Sequence, residues 1–255
     1  MSISLKMDEG LFARDVRRLS AVLKQDLGKT LKDQAKLFVK DCVLFTPPVL
    51  KGGIGESLAA QRRVGDKSVR ESIQRAYQPV DSIKILAEES GSNIGKSISK
   101  LIRKKRLEEA TALSRKAGLR IHGIVQTAGK QYESKRRKGR YRDNGSFIVA
   151  NGKSIKTLIN KKVKRVGIGK HGWATPASRL GLKLPNWITR HAGKSSGTYH
   201  DDLRSDSPSI TVSNNVPFIQ ESGKDLRVMA KAMSSRTRNI GKQLESTIKA
   251  SYKRG

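Results

Sequence analysis

A chain of 255 residues suits one domain carrying an insertion, or two small domains. Its 53 Lys and Arg stand against 22 acids, giving a net charge of +31, with only 5% aromatic residues and one cysteine. That inventory excludes an internal disulfide and a cysteine-built metal site, leaves little for base-stacking platforms, and favours nucleic acid, an anionic surface or a strongly acidic protein as partner.

So much charge exceeds what solubility asks of a chain this size. It implies DNA affinity through phosphates, weakening as salt rises. Nowhere do 18 apolar residues run together, and the opening MSISLKMDEG lacks an apolar signal-peptide core. Neither a membrane span nor a classical export signal is therefore expected.

In chain order, the first element is a helix over Asp8–Phe45. Phe12, Val16, Leu19, Leu23, Leu27, Leu31, Ala35, Phe38 and Cys42 recur at steps of three or four, one apolar stripe. Gly28 is a mild interruption. Thr46-Pro47-Pro48 ends the helix, because proline restricts the residue before it and lacks the amide hydrogen. Lys51–Gly55 is a glycine-rich link. Glu56–Tyr132 reads mainly as short helices, and Val80–Leu86 fits either a strand or a helix start. Residues 56–135 are expected to form a mostly helical insertion.

Lys135–Arg142, KRRKGRYR, is a basic loop. Ser146–Ala150 and Lys156–Ile168 read as strands, with Asn151-Gly152 as a hairpin turn between them. Lys161, Lys162, Lys164 and Arg165 would then dominate one strand face. Between Lys130 and Lys194 eighteen Lys/Arg face two acids, Glu133 and Asp143, so the charge is concentrated as well as large. Gly167–Asp206 is loop-rich and holds Trp173 and Trp187.

Ser207–Ser222 is the junction on which the fold turns. Ile210 and Val212 alternate with Thr211 and Ser213 as in a half-buried strand. Asn214-Asn215 offers a turn. Val216-Pro217-Phe218-Ile219 should be a sheet edge, since Pro217 cannot donate a ladder hydrogen bond. A helix follows over Asp225–Tyr252, with Asp225 as N-cap and Leu226, Met229, Met233, Ile240, Leu244, Ile248 and Tyr252 on one face. The expected architecture is α+β: an antiparallel sheet flanked by a long N-terminal helix and a C-terminal helix, with the helical insertion.

Motifs that carry chemistry are weak. Gly91–Ser97 is one residue short of a P-loop between its first glycine and Gly95-Lys96, and no strand-ending aspartate is in place for Mg²⁺. Gly167-Ile168-Gly169-Lys170-His171-Gly172 matches the dinucleotide motif in letters, but Pro176 stands where a helix must open. His200-Asp201-Asp202 with His191 could be imagined as a metal-dependent nuclease site, but the two aspartates are sequence neighbours in an apparent loop. No catalytic residue, cofactor or metal is expected. The contacts expected for nucleic acid or an acidic partner are Lys135, Arg136, Arg137, Lys138, Arg140, Arg142, Lys161, Lys162, Lys164 and Arg165, binding by position rather than by reading bases.

Two elements carry a family resemblance. Phe45-Thr46-Pro47-Pro48-Val49-Leu50-Lys51-Gly52, followed by Glu56-Ser57-Leu58, resembles the helix-ending "TP/AP…G" element of the tail-completion (minor tail, head–tail joining) proteins of tailed bacteriophages. Val212–Ile219 followed by Glu221-Ser222-Gly223 resembles their strand, Asn turn, "PY/PF" and "E.G" elements ahead of a C-terminal helix. The resemblance covers the two ends of the chain, and the family's acidic residue after the proline element is replaced by Val49 and Leu50.

The resemblance implies a non-enzymatic virion protein assembled in the host cytoplasm, a homo-oligomeric and by resemblance hexameric ring at the head-proximal end of the tail. Its partners would be tail tube or terminator and head-connector proteins, and the end of the packaged DNA. Val216, Pro217 and Phe218 are the expected subunit interface, because an open strand edge can pair with a neighbour. The alternative from the charge alone is a non-sequence-specific nucleic-acid-binding protein.

Overall fold

A computed structural model of the chain describes residues 11–23, 26–49, 57–89, 93–129, 147–191, 197–204, 208–220 and 224–252. The fold is a mixture of helices and small sheets, α+β as expected. The chain divides into two compact units, Met1–Gly65 with Val166–Gly255, and Asp66–Arg165. The second is inserted in the first in sequence. It runs beyond the expected 56–135 because a strand and a helix after residue 146 belong to its core.

The expected N-terminal helix is two helices, α1 (Leu11–Leu23) and α2 (Leu27–Phe45). Asp26 caps the second: its Oδ1 accepts from Lys29 N–H at 2.9 Å, an N-cap bond that starts a helix afresh. Gly28 fits beside that cap because a Cβ would come within 3.1 Å of both Asp26 Oδ1 and the Leu203 carbonyl oxygen. The apolar stripe does its expected work, burying Phe12, Val16, Leu19, Leu31, Ala35, Phe38 and Cys42. Burial pushes the Cys42 thiol pKa well up, with Asp41 adding to the effect. Helix α3 (Leu58–Ala76) then carries the chain into the inserted unit.

That unit contains β1 (Tyr77–Pro79), α4 (Val80–Glu89), α5 (Ile94–Arg103), α6 (Leu107–Lys116), β2 (Ile121–Val125), β3 (Phe147–Ala150) and α7 (Gly152–Val163). Its strands form a parallel sheet in the order β1-β3-β2. An antiparallel sheet was expected here, with Lys156–Ile168 as a strand. Instead Asn151 Oδ1 accepts from Lys153 N–H at 2.8 Å, so Asn151 is the N-cap of α7 and not a hairpin corner. The spacing explains the outcome: Ile155, Leu158 and Ile159 recur with a helical period and are buried together.

The sheet is covered on both faces, as parallel sheets are. Ile148 and Ala150 of β3 join Ile73, Tyr77, Ile155 and Ile159 in one apolar cluster, so α3 and α7 share that face. Val149, pointing the other way, joins Ile83, Ile98, Ala110, Ile121 and Ile124, from α4, α5, α6 and β2. Pro79 sits on an edge strand, where a missing amide donor costs no ladder bond.

The other unit resumes with α8 (Ile168–His171), α9 (Ala174–Arg179) and α10 (Asn186–Thr189). A hairpin of β4 (Tyr199–Asp202) and β5 (Ser209–Val212) follows, and is the only antiparallel pairing among the described residues. Val216–Ile219 is not a sheet edge. Residues Pro217–Gln220 form a helical turn, α11, since proline is well placed at a helix start. Helix α12 (Lys224–Tyr252) packs against α1 and α2. It begins one residue earlier than expected, so Asp225 lies inside its first turn. Its buried stripe is Val228, Met229, Ala232 and Ile240, while Leu226 is half exposed.

Candidate polyanion-binding face

Of the basic residues expected to meet a polyanion, Lys135, Arg136, Arg137, Lys138, Arg140 and Arg142 lie outside the described residues. Lys161 and Lys162 are in the last turn of α7, and Lys164 and Arg165 follow it. Lys161, Lys164 and Arg165 are exposed, as are Lys153 and Lys156 earlier in the same helix, which the strand reading missed. At 100° per residue, Lys153, Lys156, Lys161 and Lys164 share the face opposite Ile155, Leu158 and Ile159. The result is one basic stripe about 16 Å long, at 1.5 Å rise per residue.

Helix chemistry does not account for the stripe. Cations in the last turn suit the helix dipole, so Lys161 and Lys162 have a structural reason to be there. Lys153 has the opposite relation to it, sitting in the first turn where positive charge is unfavourable, and Lys156 lies too far from either end to gain from it. No acid occurs anywhere in Gly152–Val163 to pair with them at helical spacing. A stripe of this length spans several phosphates, at one per 3.4 Å of strand.

The other unit holds a buried polar junction. Lys170 is fully buried, and its Nζ donates to the Val43 carbonyl at 2.5 Å and to the Thr46 carbonyl, capping the C-terminus of α2. Burial lowers the Lys170 pKa to about 7, against the two carbonyls, which favour the ammonium. Trp173 Nε1 donates to Thr46 Oγ1 at 2.9 Å, and that hydroxyl donates to the Cys42 carbonyl at 2.7 Å.

The glycines of the dinucleotide-like motif are packing sites. Gly167 has φ 96°, and a Cβ there would meet the Trp187 ring at 2.6 Å. At Gly172 a Cβ would lie 1.8 Å from Asn214 Oδ1. At Gly169 it would lie 3.0 Å from Ile219 Cδ1 and 3.4 Å from Thr46 Cγ2. Asn214 donates from Nδ2 to the Gly169 carbonyl at 3.0 Å and accepts from Val216 N–H at 3.1 Å. No cradle for a pyrophosphate remains in a segment so filled.

The histidines and aspartates do not make a nuclease site. His191 is buried, its Nε2 3.1 Å from the Val166 carbonyl oxygen, and its ring meets that of His171 edge-on at 6.2 Å. Burial lowers the His171 pKa, and His191 adds to that. His200, Asp201 and Asp202 are exposed on β4, where neighbouring residues point to opposite faces. Asp201 accepts from Tyr199 OH at 2.7 Å. Among the described residues no three His, Cys, Asp or Glu side chains are grouped to hold a metal ion. None of the described helices is long and apolar enough to cross a membrane.

Of the expected interface residues, Val216 is buried within its own unit and Pro217 is exposed at the start of α11. Phe218 falls inside that turn. No family model matches this sequence, and no curated protein or solved structure is significantly similar to it.

Proposed function

We propose that this chain is a non-enzymatic structural protein of a tailed bacteriophage, of the tail-completion class, acting in the virion as an oligomeric ring that joins tail to head. One observation supports this reading above the others. The two elements on which the resemblance rests are some 170 residues apart in sequence, yet Thr46 of one and Ile219 of the other both lie against Gly169, where a Cβ would meet the two side chains together. They are parts of one structural junction, as the ends of a single family-like domain should be. The ring, hexameric by resemblance, would contact tail tube or terminator and connector proteins, and its charge would meet acidic faces or the end of the packaged DNA. Electron microscopy of particles lacking the protein should show tails and filled heads left unjoined. Normally joined particles would refute the assignment.

A second reading, sequence-independent binding of nucleic acid, is favoured by the α7 stripe. It predicts duplex binding by the isolated protein with a steep log–log salt slope. Changing Lys153, Lys156, Lys161 and Lys164 together to Gln should flatten that slope by about 0.9 for each phosphate no longer neutralised. A wild-type slope near zero rules this reading out.

A further inference from the structure

Beside the stripe, and wholly within the inserted unit, a groove of about 500 Å³ opens between α3 and α7. Its two helical walls repeat one chemistry. Arg70 and Gln74 stand one turn apart on α3, and Lys156 and Asn160 stand one turn apart on α7. Each helix therefore presents a cation and, four residues on, an amide. Ile155 and Ile159, both core residues, lend the groove apolar surface. None of the described lining residues is acidic.

The place in the fold matters as much as the lining. The groove includes Gln78 and Pro79 at the carboxyl end of β1 and Gly152 just past the carboxyl end of β3. Crevices outside the carboxyl ends of parallel strands are where open α/β sheets receive ligands. The volume is in the range of small-ligand sites. A bare polyanion-binding surface needs only cations. An amide adds an acceptor to its donors: a phosphate can take the N–H groups only, whereas a base edge uses donor and acceptor together.

We infer that this groove binds a nucleoside phosphate unit, with Arg70 and Lys156 on the phosphate and Gln74 and Asn160 on the base or sugar edge. The inference deepens the nucleic-acid reading of the α7 stripe and rests on it. Two sources share this ligand chemistry, a nucleotide within a strand and a free nucleotide.

The test uses the full chain, a labelled 16-nucleotide single strand, and deoxyadenosine monophosphate, inorganic phosphate and polyglutamate as competitors. The monophosphate should displace the strand, and inorganic phosphate should do so at least about tenfold less well, the energy of a base-edge contact or two. Arg70→Gln and Asn160→Ala, both at exposed positions, should each weaken the monophosphate by about five- to tenfold with unchanged thermal unfolding. Lys164→Gln, on the stripe but outside the groove, should weaken the strand alone.

If Arg70→Gln weakens monophosphate and strand alike, the strand is the source. If it weakens the monophosphate alone, the source is the free nucleotide. Equal competition by inorganic phosphate, or better displacement by polyglutamate, overturns the assignment. Strand binding with a salt slope but no effect of Arg70→Gln or Asn160→Ala removes the groove and leaves the stripe. Absence of any strand binding removes both.

Discussion

Arg236 of α12 donates from Nε to Asp41 Oδ2 of α2 at 2.7 Å, and the two side chains are only 12% and 11% exposed. In a chain of net charge +31 an acid held so deeply has a definite partner to neutralise. Removing one member strands the other in a poorly solvated place, which costs far more than the pair contributes over an apolar substitute. Arg236→Ala should therefore lower stability by about 3 kcal/mol, whereas the double change Arg236→Leu with Asp41→Leu should recover most of the loss. Urea unfolding of these two variants beside the wild type measures the loss and its recovery. A single-variant loss below about 1 kcal/mol would show that solvent screens the pair.

Thr46 Oγ1 accepts from the Trp173 indole N–H, and its own hydroxyl is bonded to the Cys42 carbonyl. Thr46→Val keeps the shape and removes the acceptor. A fully buried indole N–H left unpaired costs about 1–3 kcal/mol. Denaturant unfolding followed by tryptophan fluorescence should show that loss without a change in the slope with denaturant.

Gly172→Ala should be worse. The new methyl would occupy the position of Asn214 Oδ1, and Asn214 would have to leave both Gly169 and Val216. About 2–4 kcal/mol is expected, from overpacking and two broken hydrogen bonds. Gly152→Ala is the control, since its Cβ would stand 3.8 Å from Pro79 Cβ, ordinary contact. Equal melting temperatures for these two variants would contradict the packing described around Gly172.

Much of the helical layer was legible in the sequence because Leu31, Ala35, Phe38 and Cys42 leave no other period to choose. The break at Asp26 was not, since a capping aspartate four residues before Thr30 is equally at home inside a charged helix face. Asn151-Gly152 satisfies both a hairpin turn and an N-cap, and only Ile155, Leu158 and Ile159 decide between them. Reading that segment as a strand hid Lys153 and Lys156, so half of the basic stripe went unseen. The parallel sheet was illegible for a different reason. Its strands span three to five residues, too short to establish alternation, and both of its pairings join segments far apart in sequence.

Lys170 and His171 make the stability of their unit depend on pH in one direction. Both are bases whose pKa values are lowered by burial, Lys170 from 10.5 to about 7 and His171 from 6.5 downward. Between pH 7 and 10.5 the unfolded chain therefore binds the Lys170 proton that the folded one sheds, and stability rises with pH across that window. Below pH 6.5 His171 extends the same trend, and acid destabilises. Relief of repulsion among 53 basic residues at high pH acts in the same sense, so the wild-type profile alone does not identify the source. Lys170→Met separates them, because it fills the site without a titrating group. Its melting temperature should rise less steeply between pH 7 and 10 than that of the wild type, while the slope below pH 6.5 stays the same. Parallel profiles above pH 7 would mean that the ammonium keeps its proton there, held by the Val43 and Thr46 carbonyls.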